Sequence, residues 1–146
     1  MRKFLLPLLL ALVTLPALAQ TKGEAMALVK RAIAYYKANG KGKMVFEVSK
    51  LDGQLRKGSL YVFVYDMNGK VVAHGQKVRM IGMDLKNAKD PAGKAFVQER
   101  IKIAMEKGSG WQDYLFENPF NHKVEEKSAY IERCDDLIFG CGTYKD

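Results

Sequence analysis

Along Lys22–Asn39 the apolar residues Ala25, Leu28, Val29, Ala32, Ile33 and Tyr36 recur at three- and four-residue spacing, the period of an amphipathic helix. Thr21, with Glu24 three residues on, is the side-chain pair that caps such a helix, and Gly40 is its stop. Over residues 41–58 the signal weakens: Met44, Val45, Phe46 and Val48 fit a short helix or a strand, and "LDGQLRKG" reads as loop. The period then changes to two. In "YVFVYDMNGKVVAHG" the rings Tyr61, Phe63 and Tyr65 alternate with Val62 and Val64, which predicts a hairpin of strands 60–66 and 70–74. A long connection, 76–91, carries Met80, Ile81, Met83 and Leu85. Residues 92–107 predict a second helix with Phe96, Val97, Ile101, Ala104 and Met105 inward and Gly108 as its stop. A third strand over 111–117, the turn "NPFNHK" and a closing hairpin of 124–133 and Leu137–Tyr144 complete the chain.

Helix, hairpin, loop with helix, then three consecutive strands is an α+β order, not an alternating βαβ one. The last strand is expected to pair back with the opening hairpin, making about five antiparallel strands. The first helix then covers one face, and the middle loop with the second helix covers part of the other. The opening hairpin admits two registers. A two-residue Asn68-Gly69 turn pairs His74 with Phe63. A four-residue turn ending in a left-handed Gly69 pairs it with Val62 and sends the imidazole to the opposite face.

The first residues read differently. Arg2 and Lys3 precede an apolar run from Phe4 to Leu15, and Ala17-Leu18-Ala19 has the small residues that a signal peptidase reads. Cleavage after Ala19 is expected, leaving residues 20–146 as one exported domain, with a bacterial periplasm as the destination. Loss of two cations and no acids lowers the net charge from +8 to +6. The basic residues are dispersed, with no nucleic-acid motif, so a solvated surface is the first reading and an anionic ligand or surface the second. Cys134 and Cys141 are the only cysteines. With a turn at Asp135-Asp136, Cys134 faces Leu137 and Cys141 lies about 13 Å further along at roughly 3.3 Å per residue. A disulfide needs Cα atoms within about 7 Å, so two free thiols are expected.

Candidate chemistry narrows next. The chain has two histidines, His74 and His122, and no HExxH, GxSxG or phosphate-cradling glycine loop. Adjacent acids such as Glu125-Glu126 split across a strand's two faces. These residues predict no enzyme, no metal and no cofactor. They do supply the mixture of rings and sparse polar groups that lines small-molecule pockets. Tyr61, Phe63, Tyr65 and His74 come from the opening hairpin, Trp111 and Tyr114 from the third strand, and Lys127 and Tyr130 from the closing hairpin. Tyrosine hydroxyls, a lysine and a histidine together suit a carboxylate. Gly140 and Gly142 leave one side of the last strand without bulk. The same rings are also ordinary sheet-core residues. Strand parity sets Trp111 opposite to Tyr114 and Phe116, and Tyr130 opposite to Lys127, so one cavity cannot take all of them without bulges.

The ordered series "LYVFVYDMNGKVVAHG", "IGMDL", a helix, "GSGWQDYLFENP" and "KVEEKSAYIERCDDLIFGCGTY" resembles the single Cache domains of bacteria, from about Leu28 to Tyr144. The resemblance implies a PAS-like antiparallel sheet behind a long N-terminal helix. It also implies an extracytoplasmic pocket for small ligands, often short carboxylates. Carried over by position, the pocket falls on the opening-hairpin rings, His74, Trp111, Tyr114, Lys127 and Tyr130, with Phe116 where a tryptophan is common. Such domains usually sit between two membrane spans of a receptor. This sequence has no second span, which implies a free binder of a small organic acid that passes ligand status to a membrane sensor. A homodimer through the N-terminal helix is the further expectation, and an interaction module with a vestigial pocket is the alternative.

Overall fold

A computed structural model describes residues 20–145; the expected leader, residues 1–19, lies outside the described residues. Helix α1 spans Lys22–Asn39 and begins on the expected cap. The Thr21 hydroxyl accepts the Glu24 amide at 3.1 Å, and the Glu24 carboxylate accepts the Thr21 amide at 2.9 Å. The ambiguous stretch after Gly40 is helix α2, Lys41–Val48, which buries Met44, Glu47 and Val48. "LDGQLRKG" is not wholly loop: β1, Arg56–Lys57, pairs with β2, Leu60–Tyr61, as a two-stranded ribbon.

The main sheet contains β3 (Phe63–Asp66), β4 (Val71–His74), β5 (Ser109–Glu117), β6 (Val124–Cys134) and β7 (Leu137–Tyr144), in the order β4-β3-β7-β6-β5. Every pairing is antiparallel, and the final strand β7 joins the opening hairpin to the rest, as expected. Cys134 pairs with Leu137 and Cys141 with Tyr130, and both thiols are free and buried.

The opening hairpin uses both expected registers in turn. At the turn, Gly69 donates to the Asp66 carbonyl and Asp66 to the Lys70 carbonyl, with Gly69 at φ 89°; this is the four-residue arrangement. Pairing then jumps from Tyr65↔Val71 to Val64↔Ala73, leaving Val72 as a bulge. The extra residue realigns the strand, so His74 pairs with Phe63. Glycine is required at 69 for a second reason: a Cβ there would press 2.8 Å from the Lys86 backbone.

Helix α3 runs over Phe96–Glu106, shorter than the expected 92–107. Asp90 organises the missing turn. Its carboxylate accepts the amides of Ala92 and Lys94, and of Leu115 in β5, while Gly93 stands at φ 85°, where a helix cannot start. The inward positions of α3 are Phe96, Val97, Arg100 and Ala104, whereas Met105 is exposed rather than inward.

Two cores lie on opposite faces of the sheet. Under α1 sit Leu60, Val62, Val64, Ala73, Phe139 and Cys141. On the other face, under α3 and the middle loop, sit Tyr61, Phe63, Tyr65, Val71, Tyr114, Ile131 and Ile138.

Candidate functional site

The α3 face holds two fully buried cations. Lys127, on β6, is 0% exposed and Arg100, on α3, is 1% exposed. Neither has a carboxylate within ion-pair distance among the described residues. Their surroundings are aromatic instead. The Lys127 amine lies 4.1 Å from the Tyr61 ring centroid, 5.2 Å from Phe63, 5.3 Å from Phe116 and 5.2 Å from Tyr144. The Arg100 guanidinium lies 4.2 Å from Phe63 and 4.6 Å from Tyr65. Ring faces attract cations but do not neutralise them.

Burial dominates the electrostatics. Desolvation pulls the Lys127 amine down to about 7, with Arg100 adding to the shift. Holding it charged in this site therefore costs on the order of 4–5 kcal/mol. Burial likewise drives the Tyr61 and Tyr114 hydroxyls well above their ordinary range, so they stay protonated donors.

A hydrogen-bond chain leads outward from Lys127. Its amine donates to the Tyr61 hydroxyl at 2.9 Å, that hydroxyl meets the Tyr144 hydroxyl at 3.2 Å, and Tyr144 donates to the Glu117 carbonyl at 2.6 Å. The bulge at Val72 brings His74 to this face, against the rings of Tyr61, Phe63 and Phe116. Its Nδ1 accepts the backbone amides of Gln76 and Lys77 at 3.2 and 2.9 Å. An accepting Nδ1 carries no proton, so the neutral ring holds its proton on Nε2. Burial, then the nearby Lys127, Arg100 and Lys77 charges, lower its pKa well below the usual histidine value and keep it neutral.

Of the predicted site residues, Tyr61, Phe63, Tyr65, His74, Tyr114 and Lys127 come together on this face. Trp111 and Tyr130 do not. They pack against each other with centroids 5.5 Å apart on the α1 face, where Lys22 lies over Trp111 and Lys30 over Tyr130. The parity of β5 and β6, unbroken by any bulge, puts them there. The room expected above Gly140 is filled: a Cβ at that position would run into the Phe63 ring.

A cleft of about 300 Å³ lies between the middle loop and β5, lined by Lys77, Met80, Leu85, Phe96, Phe116 and Val124 among others. Phe116 is a wall shared by this cleft and the Lys127 cage. Lys77 and Glu117 both line the cleft, the amine 2.7 Å from the carboxylate, which His122 also contacts at 3.1 Å.

Residue reading missed Arg100 and Gln112. Arg100 was visible as a polar interruption four residues after Phe96 and four before Ala104, on the stripe that faces inward. Gln112 had a signal in parity alone, two residues before Tyr114 on the same face of β5.

This sheet order, with a long helix on one face and a loop-and-helix layer over buried polar groups on the other, defines the PAS-like class of α+β sensor domains. Within that class the chain belongs to the Single Cache domain 2 family, whose description matches residues 18–146. It is similar to a periplasmic sensor domain of a chemotaxis protein, with a TM-score of 0.69, 25% identity, and coverage of 85% of this chain and 90% of that one. It shares its fold with a methyl-accepting chemotaxis protein from Vibrio parahaemolyticus (TM-score 0.74, 21% identity, 86% and 88% covered). It shares the fold equally with a Cache chemosensory domain solved to explain carboxylic acid recognition (TM-score 0.72, 22% identity, 85% and 92% covered). The chain is thus a sensory domain of the Cache type. No helix among the described residues is long and apolar enough to cross a membrane.

Proposed function

We propose that this chain is an exported sensor domain that binds a short organic anion, of the size of acetate, propionate or pyruvate, in the aromatic cage around Lys127. The observation that carries the reading is the burial of two cations in one cluster without an acidic partner among the described residues. Such charges are stabilised when a counter-charge enters with them, and a carboxylate brings one. Lys127 supplies charge, the His74 Nε2–H supplies a neutral donor, and Phe63, Tyr114 and Phe116 enclose the carbon chain. The carboxylic acid recognised by a Cache domain of the same fold supports the choice of ligand class. The ligand reaches the cage through the cleft beside Phe116, and its presence is passed to a membrane sensor in the periplasm.

Native mass spectrometry of the purified protein, followed by thermal shift against acetate, propionate and pyruvate, tests this. The expected result is co-purified acid or a stabilisation that grows with concentration, about 2.7 kcal/mol at a hundredfold excess over Kd. Lys127→Met should abolish the response. An unliganded mass and no thermal response to any acid would refute the reading.

A further inference from the structure

Resting on that reading, we infer that the preferred ligand carries two carboxylates, the second taken by Arg100. The two buried cations stand against the same ring cluster. The guanidinium is 4.2 Å and the amine 5.2 Å from the same Phe63 centroid, so their separation cannot exceed those two distances laid end to end. Both also lie within reach of the Tyr114 ring, at 5.4 and 6.0 Å. A monocarboxylate at Lys127 compensates one charge and leaves the other buried alone. A linear diacid of three to five carbons compensates both.

Arg100 is set up as a receptor for an anion. Its Nε donates to the Gln112 Oε1 at 2.9 Å, and the Tyr114 hydroxyl is within reach of its other nitrogens. Gln112 is itself fixed, its Nε2 donating to the Phe96 carbonyl at 3.0 Å and to the Glu99 carboxylate at 3.1 Å. An acid at position 112 would orient the guanidinium and also neutralise it. The amide orients it and leaves the full charge. With Nε occupied and the guanidinium carbon 4.2 and 4.6 Å from the Phe63 and Tyr65 centroids, the terminal nitrogens are the donors left to meet a carboxylate. Lys127 is a point charge with one of its three donors spent on Tyr61. Gln112 is thus a positioning residue, and Arg100 the specificity-determining one.

The test is calorimetric titration of the full protein at pH 6.5 with matched pairs: propionate against malonate and butyrate against succinate. The diacid of each pair is expected to bind at least tenfold more tightly. Arg100→Met should erase that preference, the diacid and the monoacid of each pair then binding alike. Gln112→Met should reduce the preference and leave monocarboxylate binding in place. Equal affinity within each pair, or a preference that survives Arg100→Met, overturns the inference while carboxylate binding stands. If Arg100→Met does not fold, the wild-type pairs alone decide. No binding of either class would bring down the proposed function as well.

Discussion

The two faces of the sheet are built from alternate residues of the same strands, yet they solve opposite problems. On the α1 face, Leu60, Val62, Val64 and Phe139 meet Ala25, Leu28, Val29 and Ala32 in an apolar core. On the α3 face, the intervening Tyr61, Phe63 and Tyr65 surround Arg100, Lys127 and His74. The first face gains stability with each buried side chain; the second gives some of it up to hold charge out of water. The two-residue period of a strand lets one sheet do both without either compromising the other.

Substitutions on the two faces should therefore move stability in opposite directions. The largest effect is expected for Phe139→Ala on the α1 face, a loss of about 3–5 kcal/mol in urea unfolding, with acid affinity unchanged wherever the protein remains folded. Lys127→Met should do the reverse. It removes ligand response yet raises the stability of the ligand-free protein at pH 7 by roughly 1–4 kcal/mol, because an isostere with no charge fills the cage. Destabilisation by Lys127→Met would show that the amine is a structural group after all.

The pH dependence sharpens the contrast further. Lys127 sits at about 7 in the folded chain, below its ordinary 10.5. The charged amine penalises the ligand-free fold fully below pH 7, and the penalty fades as pH rises from 7 towards 10.5, since the folded state binds fewer protons than the unfolded one in that window. Carboxylate binding favours the charged amine, so affinity should drop by up to tenfold per pH unit above 7. Calorimetry between pH 6 and 9 would show this, with proton uptake on binding in the upper half of the range. A flat profile would exclude Lys127 from the ligand contact. The smallest effect belongs to the α1 cap: Thr21→Ala should cost about 1 kcal/mol in thermal or urea unfolding and leave affinity alone.

Much of this was legible because it is local. The capping pair at Thr21 and Glu24, the spacing along α1 and the alternation of Tyr61, Phe63 and Tyr65 depend only on helical and strand periods. Parity alone separated Trp111 from Tyr114 and Tyr130 from Lys127, and both members the structure sets apart, Trp111 and Tyr130, are on the α1 face. The family resemblance did more: it placed all eight candidate residues in one pocket, and strand parity corrected it on these two.

What only the tertiary structure decided was distance and burial. The bulge at Val72 fixes the face of His74, and a bulge is a compromise between turn geometry and packing that no local pattern carries. The room at Gly140 proved to be the seat of the Phe63 ring, because a residue without a side chain marks close approach as readily as open space. Arg100 reads as one more surface charge on a helix until α3 is laid on the sheet, where its guanidinium enters the same ring cluster as Lys127. Sequence periods dictate which residues share a face; the charge a face must bear depends on what the rest of the chain folds over it.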